Sequence, residues 1–335
     1  MGLTEAIILG LVQGVTEFLP ISSSAHLFIL PWLLGWHDPG LTFDVGLHLG
    51  TFAAVVAYFW RDWVLIVRDF AGSLFRSGLF GLRSSWRPFG GLPAMKNAAA
   101  GSAGVSPANR RGGFQTRPYA PPIGQDESGA GVPPEHTSQR PVALGRNSSL
   151  GWFVILGTIP GVMVGVLFEH EAETIFRDVR LIAVMLMLLG VVLLLAERLA
   201  QHVRGLERVS LVDSVFIGLA QAFAIIPGVS RSGSTISMGL FRGLERGAAA
   251  RFSFLLGTPI ILGASAKRLP AIFTGGMPSD DRLPFILGTA SSAVAGFATI
   301  ALLLRYLQRH STVPFVVYRL ALGVVLLGLA FWRGV

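Results

Sequence analysis

Along most of the chain, long apolar runs alternate with short polar interruptions. The runs at 43–60, 151–168, 180–196, 252–266, 284–304 and 314–332 approach the roughly 20 residues with which a helix crosses a bilayer, and each predicts a transmembrane helix. Two other apolar stretches, 5–34 and 210–240, are long enough to cross but are broken in the middle. Pro20 interrupts the first, and Ser22, Ser23, Ser24 and His26 follow at once; the second contains Pro227-Gly228-Val229-Ser230-Arg231-Ser232-Gly233-Ser234-Thr235. Proline removes a helical N–H and clashes with the preceding turn. Backbone freed at membrane depth is tolerated only where it is buried in protein or lines a cavity. The pattern therefore predicts an all-α integral membrane protein with about six transmembrane helices plus two re-entrant helical hairpins.

The two broken segments look like copies. Gly10-Leu11-Val12-Gln13 leads to Pro20 and a serine cluster, and Gly218-Leu219-Ala220-Gln221 leads to Pro227 and another. Leu49-Gly50-Thr51 begins 29 residues after Pro20, and Leu256-Gly257-Thr258 begins 29 after Pro227. Three predicted spans separate the two segments, and an odd number reverses direction. This predicts one membrane domain, 1–335, built from inverted halves, roughly 1–168 and 210–335. Discontinuous helices of two inverted halves meeting near the midplane are a recurrent way to build a polar site in a membrane.

Composition agrees: 52% of the 335 residues are hydrophobic and 14% charged, with a mean hydropathy of +0.60. The net charge of +8 comes almost wholly from arginine, since Lys96 and Lys267 are the only lysines. The arginines sit mainly in loops beside apolar runs, where retention on the cytoplasmic side accounts for them and nucleic-acid binding is not needed. By that rule, the segment from Arg61 to Arg146 and the loops around Arg204 and Arg246 lie in the cytoplasm. The acidic loops 169–178 and 274–283 lie outside. Within the first cytoplasmic loop, 91–147 is rich in Gly, Pro, Ala, Ser and Arg without apolar periodicity, which predicts a disordered insertion. The absence of cysteine excludes disulfides and thiolate metal sites. The N-terminus lacks a basic region and a small-residue cleavage site, so no removable signal peptide is predicted.

Chemistry concentrates in the two breaks. Ionisable groups at membrane depth are costly, which makes Glu17, His26 and Arg231 functional candidates. Arg231, flanked by Ser230 and Ser232, freed by Gly228 and Gly233 and followed by Thr235, offers a guanidinium fork, hydroxyls and helix-start amides. That set suits a phosphate or pyrophosphate. Pairing with a lipid headgroup or a carboxylate is the plainer use of the same arginine. Gln13 and Glu17, four apart, share a helix face, and beyond Pro20 the serine triplet and His26 add a hydroxyl nucleophile and an imidazole. Asp44 and His48 also share a face and serve either behind the site or at an ordinary interface. Glu245, Arg246 and Arg251 read as a solvated cluster flanking the membrane. No metal-ligand spacing is present, although Glu17 and a diphosphate could share a hard divalent cation, Mg2+ or Ca2+; no organic cofactor is expected.

At these residues the chain resembles the bacterial undecaprenyl-diphosphatase family of the bacitracin-resistance BacA type. That family carries an [E/Q]xxxE motif followed by Pro-x-Ser-Ser-x-x-His, matched by Gln13 to Glu17 and Pro20 to His26. Its PGxSRSxxT motif is matched without a gap from Pro227 to Thr235. The resemblance covers the whole chain except about 77–150. It implies a multi-pass enzyme of the inner (plasma) membrane that converts undecaprenyl diphosphate to undecaprenyl phosphate at a site facing the periplasmic or outer side. It further implies that Glu17 is an essential carboxylate, Ser23 the proposed nucleophile, His26 an acid/base candidate and Arg231 the phosphate clamp, with Ser230, Ser232 and Thr235 completing the anion site; direct attack by a water held by Glu17, with Ser23 only hydrogen-bonding, is the alternative. Gln13 stands where many members have Glu, and an amide cannot take a proton or hold a cation as a carboxylate does. The expected partners are the polyprenyl diphosphate and membrane lipids; a homodimer is admitted, because the sequence reports no oligomeric state. The alternative function is a polyprenyl-phosphate flippase, since inverted repeats with broken helices also build carriers.

Overall fold

The computed structural model of the chain describes residues 1–37, 40–77, 149–168, 178–274 and 279–334. The described residues other than Ser77 belong to one compact unit. The predicted insertion at 91–147 lies outside the described residues, as do most of the two acidic loops. The described elements are helices: α1 Leu3–Phe18, α2 Ser23–Leu34, α3 Gly40–Tyr58, α4 Trp60–Ser77, α5 Leu150–Leu167, α6 Val179–Leu199, α7 Leu211–Ala222, α8 Arg231–Phe241, α9 Arg246–Thr274, α10 Ser279–Leu307 and α11 Val313–Arg333. No strand occurs among them.

Five of these helices, Leu150–Leu167, Val179–Leu199, Arg246–Lys267, Asp280–Leu307 and Val313–Arg333, are long and apolar enough to cross a membrane. A sixth span exists if α3 and α4 act together. They meet at a 78° bend, where the sequence pattern had placed the start of a loop. Residues 60–77 are helical because Asp62 and Ile66 recur on one buried face while Arg61, Val64, Val67 and Arg68 point out. Large apolar side chains such as Phe331 and Trp332 stand 88% and 80% exposed, a surface suited to lipid rather than water. The protein is a multi-pass α-helical membrane protein.

The packing interleaves the two halves. Helix α10 lies against α1 and α3, whereas α5 lies against α7 and α9, so each broken segment is covered by a helix from the other half. Matching glycines permit both contacts. A Cβ at Gly10 of α1 would stand 2.3 Å from the Gly288 carbonyl of α10, and one at Gly218 of α7 would stand 2.2 Å from the Gly157 carbonyl of α5. Close approach of helix backbones through small residues is the usual packing device in lipid. Helix α6 runs along α11. The central core, which includes Phe18, Phe59, Phe252, Phe254 and Ile236, sits beneath the two breaks, with Phe18 edge-on to Phe254 at 5.3 Å.

Both breaks end in the same backbone conformation. Ser22, before α2, has φ 76° and ψ 96°; Ser230, before α8, has φ 69° and ψ 114°. A non-glycine residue in this region costs on the order of 1–3 kcal/mol and persists only where its surroundings hold it. The side chains repeat the match: the Ser22 and Ser24 hydroxyls are 3.3 Å apart, and so are those of Ser230 and Ser232.

Candidate active site

Each break delivers one reactive group to the first residue of a helix: Ser23 opens α2 and Arg231 opens α8. Between them lies Glu17, in the last turn of α1 and only 7% exposed. Its Oε2 accepts from the Ser23 hydroxyl at 2.6 Å and from the Gln13 amide Nε2 at 3.2 Å. Its Oε1 accepts from Arg231 Nη2 at 2.7 Å. A buried carboxylate is tolerable only when paired and hydrogen-bonded, and here the partner cation comes from 214 residues away. The site is therefore also a tie between the two breaks.

Arg231 is held against α9. Its Nη1 donates to the Ser253 carbonyl at 3.2 Å, and a Cβ at Gly257 would stand 1.7 Å from that nitrogen. Gly257 thus leaves the space in which the guanidinium lies; the sequence pattern had marked it only as part of the Leu-Gly-Thr repeat. His48 of α3 completes the surroundings. Its Nδ1 donates to the Asp44 carbonyl at 2.7 Å, and its Nε2 stands 4.0 Å from Glu17 Oε2. Of the two uses left open for His48, the structure shows the one behind the site.

The other expected site residues make contacts within the protein. Ser230 caps α8, accepting from the Gly233 N–H at 3.1 Å. The Ser232 hydroxyl donates to the Leu19 carbonyl at 2.9 Å, joining the two breaks. Thr235 is buried and bonds the Arg231 carbonyl at 2.8 Å and the Ser253 hydroxyl at 2.6 Å. These hydroxyls secure the frame around Arg231. His26 turns away from Glu17: its Nδ1 donates to the Ser22 carbonyl at 2.6 Å and its Nε2 meets the Tyr318 hydroxyl at 2.6 Å, with the two rings stacked.

The reading of Arg246 and Arg251 as solvated is corrected. Arg246 Nε donates to Glu197 at 2.7 Å, and Arg251 Nη2 donates to Asp62 at 2.9 Å, each pair joining helices distant in sequence. Nearby, fully buried Asp213 accepts from both Arg204 and Arg242. Sequence reasoning also missed Arg319 of α11, which is 1% exposed and bonds the backbone of both breaks. Its signal was available: a lone charge inside an apolar run is a functional candidate on that ground alone.

A hydroxyl bonded to a buried carboxylate, with a guanidinium across from it and a bundle of apolar spans around them, defines a multi-pass membrane protein with a site equipped for phosphoryl transfer. Residues 6–91 and 133–325 match the Bacitracin resistance protein BacA family, and the chain belongs to that family. It is 40% identical over 333 residues to an undecaprenyl-diphosphatase of Pelotomaculum thermopropionicum, covering 99% of this chain and 98% of that protein. It is 41% identical to the undecaprenyl-diphosphatases of Thermomicrobium roseum, with 98% of each chain covered, and of Moorella thermoacetica, with 99% of each covered.

Proposed function

We infer that the chain hydrolyses undecaprenyl diphosphate to undecaprenyl phosphate and inorganic phosphate. The reaction recycles the lipid carrier for peptidoglycan synthesis and confers bacitracin resistance. Membership of the family, at about 40% identity over nearly the full length to proteins named for this activity, supports the reading and weighs against the flippase alternative. The observation that carries it to particular residues is the Ser23–Glu17–Arg231 cluster.

In the proposed mechanism, the Ser23 hydroxyl attacks the terminal phosphorus while its proton passes to Glu17 Oε2, the atom it already bonds. The bond to the bridging oxygen breaks and undecaprenyl phosphate leaves. Arg231 neutralises charge spreading over the transferred group. A guanidinium has five N–H donors, and Glu17 and Ser253 engage one on each terminal nitrogen. Water then attacks the phosphoserine, giving phosphate and restoring Ser23. His26 serves as an acid or base in this scheme only by exchanging the Tyr318 hydroxyl for a substrate oxygen or water.

A divalent cation fits the donors in a limited way. Glu17 is a single carboxylate, the Gln13 Oε1 beside it is buried without a partner, and no group of three metal-ligating side chains forms among the described residues. Mg2+ is commonly held by one or two carboxylates together with substrate phosphates. Glu17 and Gln13 are the residues that would hold such an ion, whose chemistry would be charge neutralisation on the diphosphate. We further place the protein in the bacterial inner (plasma) membrane with its site toward the outer face and its halves in inverted orientation. The arginine-rich loops and the matched breaks support that arrangement.

Phosphate release from a polyprenyl diphosphate by detergent-purified protein tests the function, because a flippase releases none. The same assay with a chelator tests the cation.

A further inference from the structure

We propose that Arg319 is a positioning residue for this reaction, holding the Ser23 turn and the Arg231 turn at the separation that the Glu17 site requires. The guanidinium lies inside the bundle, and no carboxylate pairs with it among the described residues; backbone carbonyls receive its bonds. Nη1 donates to the Pro20 carbonyl at 3.0 Å, and Nη2 to the Gly228 carbonyl at 2.8 Å, with the Val229 carbonyl at 3.3 Å. Nε donates to the Leu186 carbonyl of α6 at 2.9 Å. One planar group thus spans both breaks and anchors them to a third helix.

The acceptors stand close to the chemistry. Pro20 is three residues before Ser23, and Gly228 is three before Arg231. Between acceptor and reactive residue in each break sits a serine with positive φ, a conformation that relaxes unless its surroundings hold it. An arginine bonded to the carbonyl two residues ahead of each strained serine supplies that restraint in both breaks at once. Tyr318, the preceding residue, bonds His26, so neighbouring positions of α11 hold three parts of the site.

Lysine at this position would keep the charge but not the fork. Its three donors sit on one nitrogen and cannot reach Pro20, Gly228 and Leu186 in the same plane. The proposal rests on Ser23 and Arg231 being the reacting and clamping groups, so Ser23→Ala and Arg231→Ala are assayed beside it. In detergent-purified full-length protein, normalised to the monodisperse folded fraction, Arg319→Lys should lower kcat by about 10²-fold, the scale of a roughly 1 Å misplacement. KM should stay within about threefold. A variant that only loosens the fold would instead melt earlier while its folded fraction keeps the wild-type kcat.

Gly323→Ala provides the second variant, retaining the guanidinium but displacing its helix. A Cβ there would stand 2.4 Å from Met187 Cγ and 3.0 Å from the Ala183 carbonyl of α6. It should lower kcat by about tenfold with KM unchanged, and it decides the matter if Arg319→Lys does not fold. Wild-type kcat in folded Arg319→Lys, or in Gly323→Ala if the lysine variant is lost, overturns the proposal even when Ser23→Ala and Arg231→Ala are inactive. If those two controls themselves turn over normally, the site assignment fails and this inference fails with it.

Discussion

The two breaks share a backbone and differ in chemistry. Each ends in a serine of positive φ, each carries a pair of serine hydroxyls 3.3 Å apart, and each leads into a helix of similar length. At the first helical residue, however, one has Ser23 and the other Arg231. Four residues after the matching glutamines, one has Glu17 and the other Ile225; before the Leu-Gly-Thr repeat, one has His48 and the other Leu255. The two glutamines register the difference. Gln13 donates to Glu17, whereas both side-chain polar atoms of Gln221 are buried without a partner. Two turns of matched shape therefore carry different side chains, and in the proposed mechanism one is the reacting turn and the other the anion-holding turn.

Among variants that keep the Ser23 hydroxyl, the largest expected effect comes from removing the group the two turns share. Glu17→Gln should lower kcat/KM by about 10³-fold, within the 10²–10⁴ range of general-base loss, as measured by phosphate release. Arg231→Ala follows at about 10²–10³-fold, typical of losing one charge-stabilising donor group. Gly257→Ala should reproduce most of that loss with the arginine intact, about 10²-fold, because its methyl occupies the guanidinium's place. An active Gly257→Ala protein would break the assignment of Arg231 to its observed position.

A smaller pair sharpens the comparison itself. Gln13→Leu should cut turnover by about tenfold, since it withdraws a donor from Glu17. Gln221→Leu should leave turnover unchanged and raise stability by about 1 kcal/mol, because it removes a buried amide that has no partner. Thermal unfolding and phosphate release on both variants check this. Equal activity losses would mean that the second turn does chemistry too.

Much of this was legible in the sequence because it is local or periodic. Apolar run length marked the spans, and Pro20 and Pro227 marked the breaks. The Gly-Leu-x-Gln and Leu-Gly-Thr spacings marked the two broken segments as alike, and their closing serines share a backbone conformation. Glu17, Ser23 and Arg231 stood out as polar groups in apolar surroundings. What escaped depends on partners brought together only by folding. The Arg251–Asp62 and Arg246–Glu197 pairs join residues 189 and 49 apart, and each arginine alone looks like a loop cation. His26 and His48 were weighed by their neighbours in sequence, yet His48 faces Glu17 and His26 faces Tyr318, 292 residues on. The bend between α3 and α4 was hidden because the charged residues after Trp60 end the apolar run without ending the helix.

The most direct test of the central claim is phosphate release from a polyprenyl diphosphate by purified wild-type and Ser23→Ala protein in detergent, with acid quench to trap any phosphoenzyme. The account predicts turnover and a phosphoserine at position 23 in the wild type, and at least about a 10³-fold loss of kcat with no phosphoenzyme in the variant. Wild-type turnover by Ser23→Ala would contradict it.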